Sequence, residues 1–311
     1  MLHVQNNPPM DINPFDLDDN ETYLRWRESK LKDYPTKFDN LLVEVNNPRK
    51  LRQREFDALQ QCCRKANMAV YVGKTGDDPD PEIPFAIARQ FGVSGLNKNW
   101  LADENALSSL TVRENGVRQH YIPYTNQAIN WHTDGYYNSP EKQIRSMMLH
   151  SVKKAGSGGE NSLFDHEIVY ILLREADPEH IRILMRPDAL SIPPRLGEYG
   201  EVARKTETGP VFSLSAAGDL HMRYTIRKKN VVWADNPETK SAVKLLNQIL
   251  TGDSDFVFQI LLEPGMGLIS NNVLHNRNAF VDNEKNSRHF FRSRYFERLR
   301  GTGVSEVYFS L

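Results

Sequence analysis

The stretch INWHTDGYYN, residues 129–138, places His132 and Asp134 two residues apart among aromatic side chains. A β-strand projects residues i and i+2 from one face, so a strand here brings an imidazole and a carboxylate to a single point. Metal ions are the usual occupants of such points. Two ligands hold a metal weakly, so the rest of the chain must supply a third.

A third ligand is predicted from a distant strand, because a β core brings remote residues together. The segment LISNNVLHNRNAF provides His275 at the end of an apolar run. Two histidines and one carboxylate cover one face of an octahedral ion and leave positions open, which is the facial arrangement of non-haem Fe(II) oxygenases. The open positions admit a cosubstrate and dioxygen. His132, Asp134 and His275 are therefore the predicted metal ligands and catalytic residues.

The segment SRHFFRSRYF adds three arginines near the end of the chain. Strand alternation puts Arg288, Arg292 and Arg294 on one face. A guanidinium binds a carboxylate at two points and keeps its charge when buried. Three of them on one face predict that anions bind there. The alternative is a solvated strand face that carries salt bridges.

The fold class follows from short strand-like segments interrupted by helices. Helical spacing and capping residues predict helices in PRKLRQREFDALQQCCRKAN, PEIPFAIARQFGV, DHEIVYILLREA and NPETKSAVKLLNQILTG. The order is irregular and no repeat is present, which argues against a doubly wound sheet and favours a mainly β core with α insertions. No linker divides the middle of the chain. We therefore predict one domain, residues 41–311, after a partly irregular N-terminal arm, residues 1–40.

Composition limits the partners. The 311 residues include 39 basic and 40 acidic side chains, with a net charge of −1, so no global charge favours nucleic acid and a small molecule is the expected partner. The first residues lack the pattern of a secretory signal, and no apolar run approaches the roughly 20 residues of a membrane span. These features predict a cytoplasmic protein with no membrane contact. Cys62 and Cys63 are predicted to be buried reduced thiols.

The motifs WHTDG, GGENSLFD, LHNRNAF and RHFFR, in this order, resemble those of the taurine dioxygenase (TauD/TfdA-like) family of Fe(II)/2-oxoglutarate-dependent oxygenases. The position of Arg294 is similar to that of arginines in the glutarate hydroxylase branch of this family. The likeness runs from about Tyr121 to Arg298. It implies a double-stranded β-helix, or jelly roll, flanked by helices. It also implies Fe(II), 2-oxoglutarate and dioxygen as cofactor and cosubstrates, with iron on the three ligands named above.

The resemblance also implies roles for individual residues. Arg288 takes the place of the arginine that binds the far carboxylate of 2-oxoglutarate, and Arg292 that of a second arginine that often meets an anionic substrate. Arg294 lies at an offset used in the glutarate hydroxylase branch, so the three roles can exchange. The family's hydroxyl residue after the paired glycines is replaced by Asn161, with Ser162 next, so Ser162, Asn161 or neither touches the cosubstrate. The predicted cosubstrate contacts are Arg288, Arg292 and Ser162. The predicted substrate contacts are Arg294, Arg223 and Tyr136.

The implied reaction is decarboxylation of 2-oxoglutarate to succinate and carbon dioxide with hydroxylation or desaturation of a small molecule. Asp134 stands where halogenating relatives leave room for chloride, which disfavours halogenation. The surplus of arginine predicts an anionic group on the substrate. Glycines in LGEYGEVARKTETG, residues 196–209, predict a mobile loop over the site. The resemblance also implies a homo-oligomer, since related enzymes are often dimers or tetramers.

Two other functions remain open at this stage. The same fold can sense 2-oxoglutarate without turnover, and the altered GGENS turn leaves room for that reading. A hydrolytic zinc site uses similar ligands, although the arginine strand disfavours it. An isolated HxD tripeptide is a weak signal, and the distal histidine, the arginines and the glycine turn in family order are what strengthen it.

Overall fold

The computed structural model describes residues 13–98, 106–197, 200–227, 229 and 231–308. Within these ranges the helices are α1 (Asn20–Leu31), α2 (Gln53–Ala66), α3 (Glu82–Gln90), α4 (His166–Ala176), α5 (Pro178–Leu184), α6 (Pro237–Thr251) and α7 (Val304–Tyr308). Short 3₁₀ turns span Phe38–Leu41, Val117–His120, Ile122–Tyr124 and Pro140–Lys142. The helices predicted from sequence spacing correspond to α2, α3, α4 and α6.

The described strands are short and lie between the helices in irregular order. They are β1 (Leu42–Val45), β2 (Met68–Gly73), β3 (Ser108–Leu110), β4 (Ile129–His132), β5 (Ser146–Lys153), β6 (Ser157–Gly158), β7 (Asn161–Phe164), β8 (Leu190–Ile192), β9 (Arg195–Leu196), β10 (Val202–Arg204), β11 (Glu207–Gly209), β12 (Phe212–Leu214), β13 (Leu220–Met222), β14 (Val232–Trp233), β15 (Val257–Ile260), β16 (Met266–Ser270), β17 (Leu274–Arg277), β18 (Phe280–Val281) and β19 (His289–Tyr295).

Side-chain caps set the start of the helices that follow the core strands. Asp165 accepts a hydrogen bond from the Glu167 backbone N–H at the start of α4. The side chain of Asn236 accepts a hydrogen bond from the Thr239 backbone N–H at the start of α6. Each cap satisfies a backbone donor that the first turn of a helix leaves free. The two helices therefore begin at defined residues.

Two sheets form the centre of the molecule. The larger has six strands in the order β1-β2-β16-β5-β19-β3, and the smaller has four in the order β15-β7-β17-β4. β1 and β2 pair in parallel, whereas the other neighbours in both sheets are antiparallel. This is a mainly β fold with inserted helices, and the predicted fold class is confirmed at that level.

Helices cover the sheets from outside. Leu59 of α2 and Ile87 of α3 pack with Tyr71 and Ile269 of the six-stranded sheet in one apolar cluster. A second, larger cluster takes in residues from both sheets and from α4, α5 and α6. Cys63 is fully buried and Cys62 half-buried, both as free thiols, which confirms that they do not bridge. No helix in the described ranges is long and apolar enough to cross a membrane.

The N-terminal segment was predicted as a partly irregular arm. Its described part contains α1, which buries Tyr23 and Trp26 in the main core. Lys30 is fully buried and pairs with Asp165 at 2.7 Å and Glu167 at 2.6 Å. The sequence hid this helix because its polar residues are tied to core partners that only tertiary structure reveals. Residues 1–12 lie outside the described residues, and a boundary at residue 40 stays a prediction.

Candidate active site

Three potential metal ligands meet where two strands of the four-stranded sheet pair. His132 ends β4 and His275 lies in β17, and the two residues are direct cross-strand partners. Their ring centroids are 4.2 Å apart. Asp134 completes the group, and one ligand atom from each residue lies within 4.8 Å of the others. The fold therefore brings together the three ligands that the sequence predicted.

Both imidazoles are held with one nitrogen available. Nδ1 of His132 donates to the Asn130 carbonyl and Nδ1 of His275 to the Val273 carbonyl, each at 2.9 Å. These bonds fix the tautomer and leave Nε2 of each ring with its lone pair free. Burial and the neighbouring His275 lower the pKa of His132 to about 3, and burial lowers the pKa of His275. Both rings are neutral near pH 7, as metal binding requires.

Asp134 reaches the site by a different route from the one predicted. β4 ends at His132, and Asp134 lies in the turn that follows. That turn has φ 70° at Gly135, where a side chain would collide with Ile144. Asn272 holds the turn: its Oδ1 accepts from the Asp134 N–H at 2.8 Å, and its Nδ2 donates to the Asp134 carbonyl at 2.9 Å. Sequence reasoning missed Asn272, because no spacing rule connects it to the turn.

The carboxylate of Asp134 is buried and charged. Its Oδ1 accepts from Nη1 of Arg292 at 3.1 Å, and Nη1 of Arg294 lies 3.7 Å away. Burial raises the pKa of Asp134, but these two guanidiniums outweigh it and hold the pKa below its ordinary value. Oδ2 is buried and has no hydrogen-bond partner in the described part of the chain. A free anionic oxygen beside two neutral imidazole nitrogens fits a divalent metal ion.

Arg292 and Arg294 lie on the face of β19 that meets Asp134, as strand alternation predicted. Arg294 also donates to the Tyr137 hydroxyl at 3.0 Å and to Oδ1 of Asn97 at 2.9 Å. These contacts fix the second guanidinium beside the aromatic residues that follow the metal ligands. The side of the site lined by Arg292, Arg294 and Tyr137 is therefore cationic and aromatic.

Arg288 lies just before β19 in a different environment. It is 4% exposed, and its guanidinium lies over the ring of Phe290, at 3.8 Å, and the ring of Phe280, at 5.3 Å. Burial and the nearby Arg277 lower its pKa to about 9, so it is still charged at pH 7. No carboxylate forms an ion pair with this guanidinium among the described residues. Asp282 favours the charged form, but its carboxylate accepts from the Arg288 backbone N–H instead of the guanidinium. A buried guanidinium without an ion pair is costly, which suits a site for an anionic ligand.

The register of the four-stranded sheet distinguishes Asn161 from Ser162. His275 pairs with Leu163 of β7, so the two side chains share a face, and Asn161 lies on that face two residues earlier. Ser162 therefore lies on the opposite face, which corrects its predicted place beside the cosubstrate. Nδ2 of Asn161 donates to the Asn276 carbonyl at 2.7 Å, and its Oδ1 is buried without a hydrogen-bond partner in the described chain.

Arg223 is a second departure from the predicted site. Its guanidinium donates to the carbonyls of Tyr136 at 2.8 Å, Leu190 at 3.2 Å and Glu207 at 2.7 Å. Burial lowers its pKa to about 10. Because all three nitrogens already have partners, Arg223 holds three segments together instead of facing a ligand. Tyr136 is half-buried, with its ring edge-on to Tyr137 at 5.2 Å.

The segment predicted as a mobile loop contains strands. β9 and β10 pair as an antiparallel hairpin, and β11 pairs with β8. Residues 198–199 lie outside the described residues. Arg204 of β10 has its guanidinium 5.4 Å from the centre of the Tyr137 ring, so the hairpin lies against the residues that follow the metal ligands.

Comparison with known proteins identifies the family. The model described as "Taurine catabolism dioxygenase TauD, TfdA family" matches residues 31–294, most of the chain. The chain belongs to the TauD, TfdA family. Membership confirms the resemblance drawn from the four motifs and the predicted class of enzyme, a dioxygenase.

Two curated relatives of this TauD, TfdA family member are named uridine-5'-phosphate dioxygenase. The one from Amycolatopsis sp is 29% identical over 177 residues, which cover 55% of this chain and 62% of the relative. The one from Streptomyces sp is 30% identical over 196 residues, which cover 61% of this chain and 69% of the relative. The match thus spans less than two thirds of the first relative and slightly more of the second.

Solved structures share the fold at low sequence identity. An asparagine oxygenase with Fe(II), 2S,3S-3-hydroxyasparagine and succinate has a TM-score of 0.57 and 12% identity, over 82% of this chain and 93% of its own. The non-heme iron oxygenase OrfP with Fe and alpha-ketoglutaric acid has a TM-score of 0.56 and 16% identity, over 80% and 81%. Iron and 2-oxoglutarate, the predicted cofactor and cosubstrate, are thus present in structures of this fold.

Proposed function

We propose that this protein is an Fe(II)/2-oxoglutarate-dependent oxygenase that hydroxylates a small anionic molecule. The observation that carries the proposal is the pairing of a pre-oriented His132–Asp134–His275 group with a buried arginine, Arg288, whose guanidinium forms no ion pair in the described chain. In this proposal the two main sheets form the jelly roll that the resemblance implied. Antiparallel sheets that share one core support that reading.

The metal is held by Nε2 of His132, Nε2 of His275 and Oδ2 of Asp134. In each imidazole Nδ1–H donates to a backbone carbonyl, so Nε2 keeps its lone pair. Oδ2 of Asp134 has no hydrogen-bond partner in the described chain. Asn272 orients the carboxylate by holding its backbone. When bound, iron and 2-oxoglutarate supply oxidative decarboxylation to succinate and carbon dioxide together with oxygen insertion into an unactivated C–H bond.

The cosubstrate carboxylate remote from the metal is bound by Arg288. The rings of Phe280 and Phe290 hold its guanidinium in place, and the glycine turn lies close, since a Cβ on Gly159 would be 3.7 Å from Nε of Arg288. Asn161 shares the face of the metal ligands and has a polar atom without a partner. It therefore takes the role that a hydroxyl residue has in the family.

The substrate lies on the side of the metal lined by Arg292, Arg294 and Tyr137. Two guanidiniums beside one carboxylate leave a net positive charge there, which favours an anionic substrate. The named activity of the two curated relatives makes uridine 5'-phosphate the first compound to test. The partner is thus a small molecule, and no nucleic acid is required.

An anaerobic titration tests the proposal. Fe(II) followed by 2-oxoglutarate should give the weak visible charge-transfer band of a chelated ferrous complex, and His275→Ala should abolish it. Oxygen should then release succinate, faster with uridine 5'-phosphate present. A protein that binds 2-oxoglutarate and never releases succinate is a sensor, and that result would overturn the enzymatic proposal. Zinc as the tightly bound metal after anaerobic purification would overturn the choice of iron.

A further inference from the structure

Arg277 is a buried arginine at the end of β17 whose charge the metal and cosubstrate contacts proposed above leave unexplained. It lies two residues after His275, and residues i and i+2 of a strand share a face, so the two side chains point to the same side of the sheet. The pairing of β17 with β7 continues to this point, because the Asn278 N–H donates to the Glu160 carbonyl at 2.8 Å. That register places Asn161 opposite Arg277.

Backbone carbonyls hold the guanidinium of Arg277 in place. Its Nη2 donates to the Thr125 carbonyl at 2.8 Å and to the Gln127 carbonyl at 2.5 Å, whereas its Nε is buried without a hydrogen-bond partner among the described residues. Burial and Arg292 lower its pKa to about 10, so it is charged at pH 7. No carboxylate of the described chain forms an ion pair with it. Neutral carbonyls therefore fix its position and leave its charge unbalanced.

One aromatic ring connects Arg277 to Arg288. The centre of the Phe280 ring lies 4.8 Å from the guanidinium of Arg277 and 5.3 Å from that of Arg288. Phe280 is also tied to the loop that Arg277 binds, since its N–H donates to the Asn126 carbonyl at 3.1 Å. Burial and then Arg277 lower the pKa of Arg288, against the opposing effect of Asp282. Two buried guanidiniums thus contact one side chain and repel each other until an anion binds beside them.

We propose that Arg277 is a second cation of the cosubstrate site and that, with Arg288, it makes the site select 2-oxo diacids over 2-oxo acids with a single carboxylate. This inference rests on the proposed function, in which Arg288 binds the carboxylate remote from the metal. That carboxylate relieves the repulsion between the two guanidiniums, whereas an apolar group in its place leaves both charges buried and unbalanced. Arg288 makes the contact, and Arg277 determines specificity through its charge.

Anaerobic titration of the Fe(II)-loaded protein with two acids of equal chain length tests this assignment. 2-Oxoglutarate and 2-oxopentanoate share the 2-oxo acid end that chelates iron and gives the visible charge-transfer band, and they differ in having a carboxylate or a methyl group at the far end. We expect wild type to bind 2-oxoglutarate more tightly. Arg277→Gln keeps a donor for the carbonyls and removes the charge, so it should reduce the ratio of the two affinities about tenfold or more, mainly by weakening 2-oxoglutarate.

Three further variants show whether the charge of Arg277 is responsible. Arg277→Met is a second neutral form, so the comparison does not depend on the folding of one variant. Arg277→Lys keeps the charge with different hydrogen bonds and should retain most of the wild-type ratio. Arg174→Gln is the matched control and should keep the wild-type ratio. Arg174, on α4, is also buried, also donates to a backbone carbonyl, that of Pro14, and also lies over a ring, that of Tyr23.

Three results would overturn the role of Arg277. One is a wild-type ratio in the neutral variants, including an equal loss of affinity for both acids, which would mean that Arg277 only supports the fold. Another is a ratio that falls as far in Arg277→Lys as in the neutral variants, or as far in Arg174→Gln. The third is wild type that binds both acids equally. Succinate release by wild type is measured separately, so the oxygenase function can stand when the role of Arg277 fails, whereas wild type without the charge-transfer band would overturn both.

Discussion

Asn272 binds both backbone polar groups of Asp134, accepting from its N–H at 2.8 Å and donating to its carbonyl at 2.9 Å. The carboxylate proposed to bind the metal is therefore held by an amide from the loop that leads into β17, the strand of His275. Asn272 itself has φ 54°, a left-handed conformation that asparagine tolerates better than most residues. One residue thus couples two ligands that lie far apart in the sequence.

Replacing Asn272 by alanine should loosen the metal site. The change leaves the Asp134 N–H and carbonyl without buried partners, so Fe(II) affinity should fall about 10- to 100-fold, and the free energy of unfolding should fall by about 1–3 kcal/mol. Anaerobic Fe(II) titration and urea unfolding measure the two effects. Asn278→Ala, at an exposed asparagine, is the control. Unchanged iron affinity in Asn272→Ala would mean that the turn holds Asp134 without help.

Asn161 and Ser162 form a matched pair on opposite faces of β7. If Asn161 contacts 2-oxoglutarate, Asn161→Ala should weaken cosubstrate binding about tenfold, the usual effect of losing one hydrogen bond to a charged group. Ser162→Ala should have no such effect, because its side chain lies away from the metal ligands. The dissociation constant for 2-oxoglutarate, followed by the charge-transfer band, separates the two variants. A larger effect of Ser162→Ala would reverse the assignment.

The sequence predicted which three residues meet, because the chemistry of a metal site depends on residue type. His132 and Asp134 were expected to converge through strand alternation, and they do converge, although Asp134 lies in a turn after the strand. Either geometry places the two side chains at one point, so their convergence does not depend on the strand that was predicted for Asp134. Helices α2, α3, α4 and α6 were predicted as well, since their caps and apolar spacing are local signals.

What the sequence could not predict depends on tertiary contacts. Ser162 was preferred over Asn161 because a hydroxyl is the usual group there, whereas the pairing of β7 with β17 decides which one faces the metal. Arg223 resembled a ligand-binding arginine until its three carbonyl partners were visible. Lys30 falls within the segment predicted as a partly irregular arm, and its burial against Asp165 and Glu167 has no local signal.

His150 should make stability depend on pH. Its Nδ1 lies 2.7 Å from the Tyr71 hydroxyl, and burial lowers its pKa to about 4. Because its folded pKa lies below the unfolded value of about 6.5, the unfolded state takes up a proton first as pH falls. The stability is complete above pH 6.5 and is lost between there and pH 4, with about 2 kcal/mol lost from pH 7 to pH 5.

Urea unfolding of metal-free protein at pH 7 and pH 5 measures this loss. His150→Gln removes the titrating group, so the loss between the two pH values should shrink by about 2 kcal/mol, whatever its absolute stability. His120→Gln, at an exposed histidine, should keep the wild-type loss. Equal losses in all three proteins would show that His150 is not the group that couples folding to pH.

Arg288 should show opposite effects on binding and on stability. Arg288→Met removes the buried guanidinium that is proposed to bind 2-oxoglutarate, so cosubstrate affinity should fall at least 10-fold, the loss of a charge-assisted contact. Without cosubstrate, the same change removes a charge that has no ion-pair partner in the described residues, so stability should stay level or rise.

Arg223→Met is the contrasting variant, because that guanidinium binds three buried carbonyls and its loss should destabilise by about 3 kcal/mol or more. Thermal unfolding with and without 2-oxoglutarate measures both quantities. A strongly destabilised Arg288→Met protein in the absence of cosubstrate would mean that this arginine has a structural role instead.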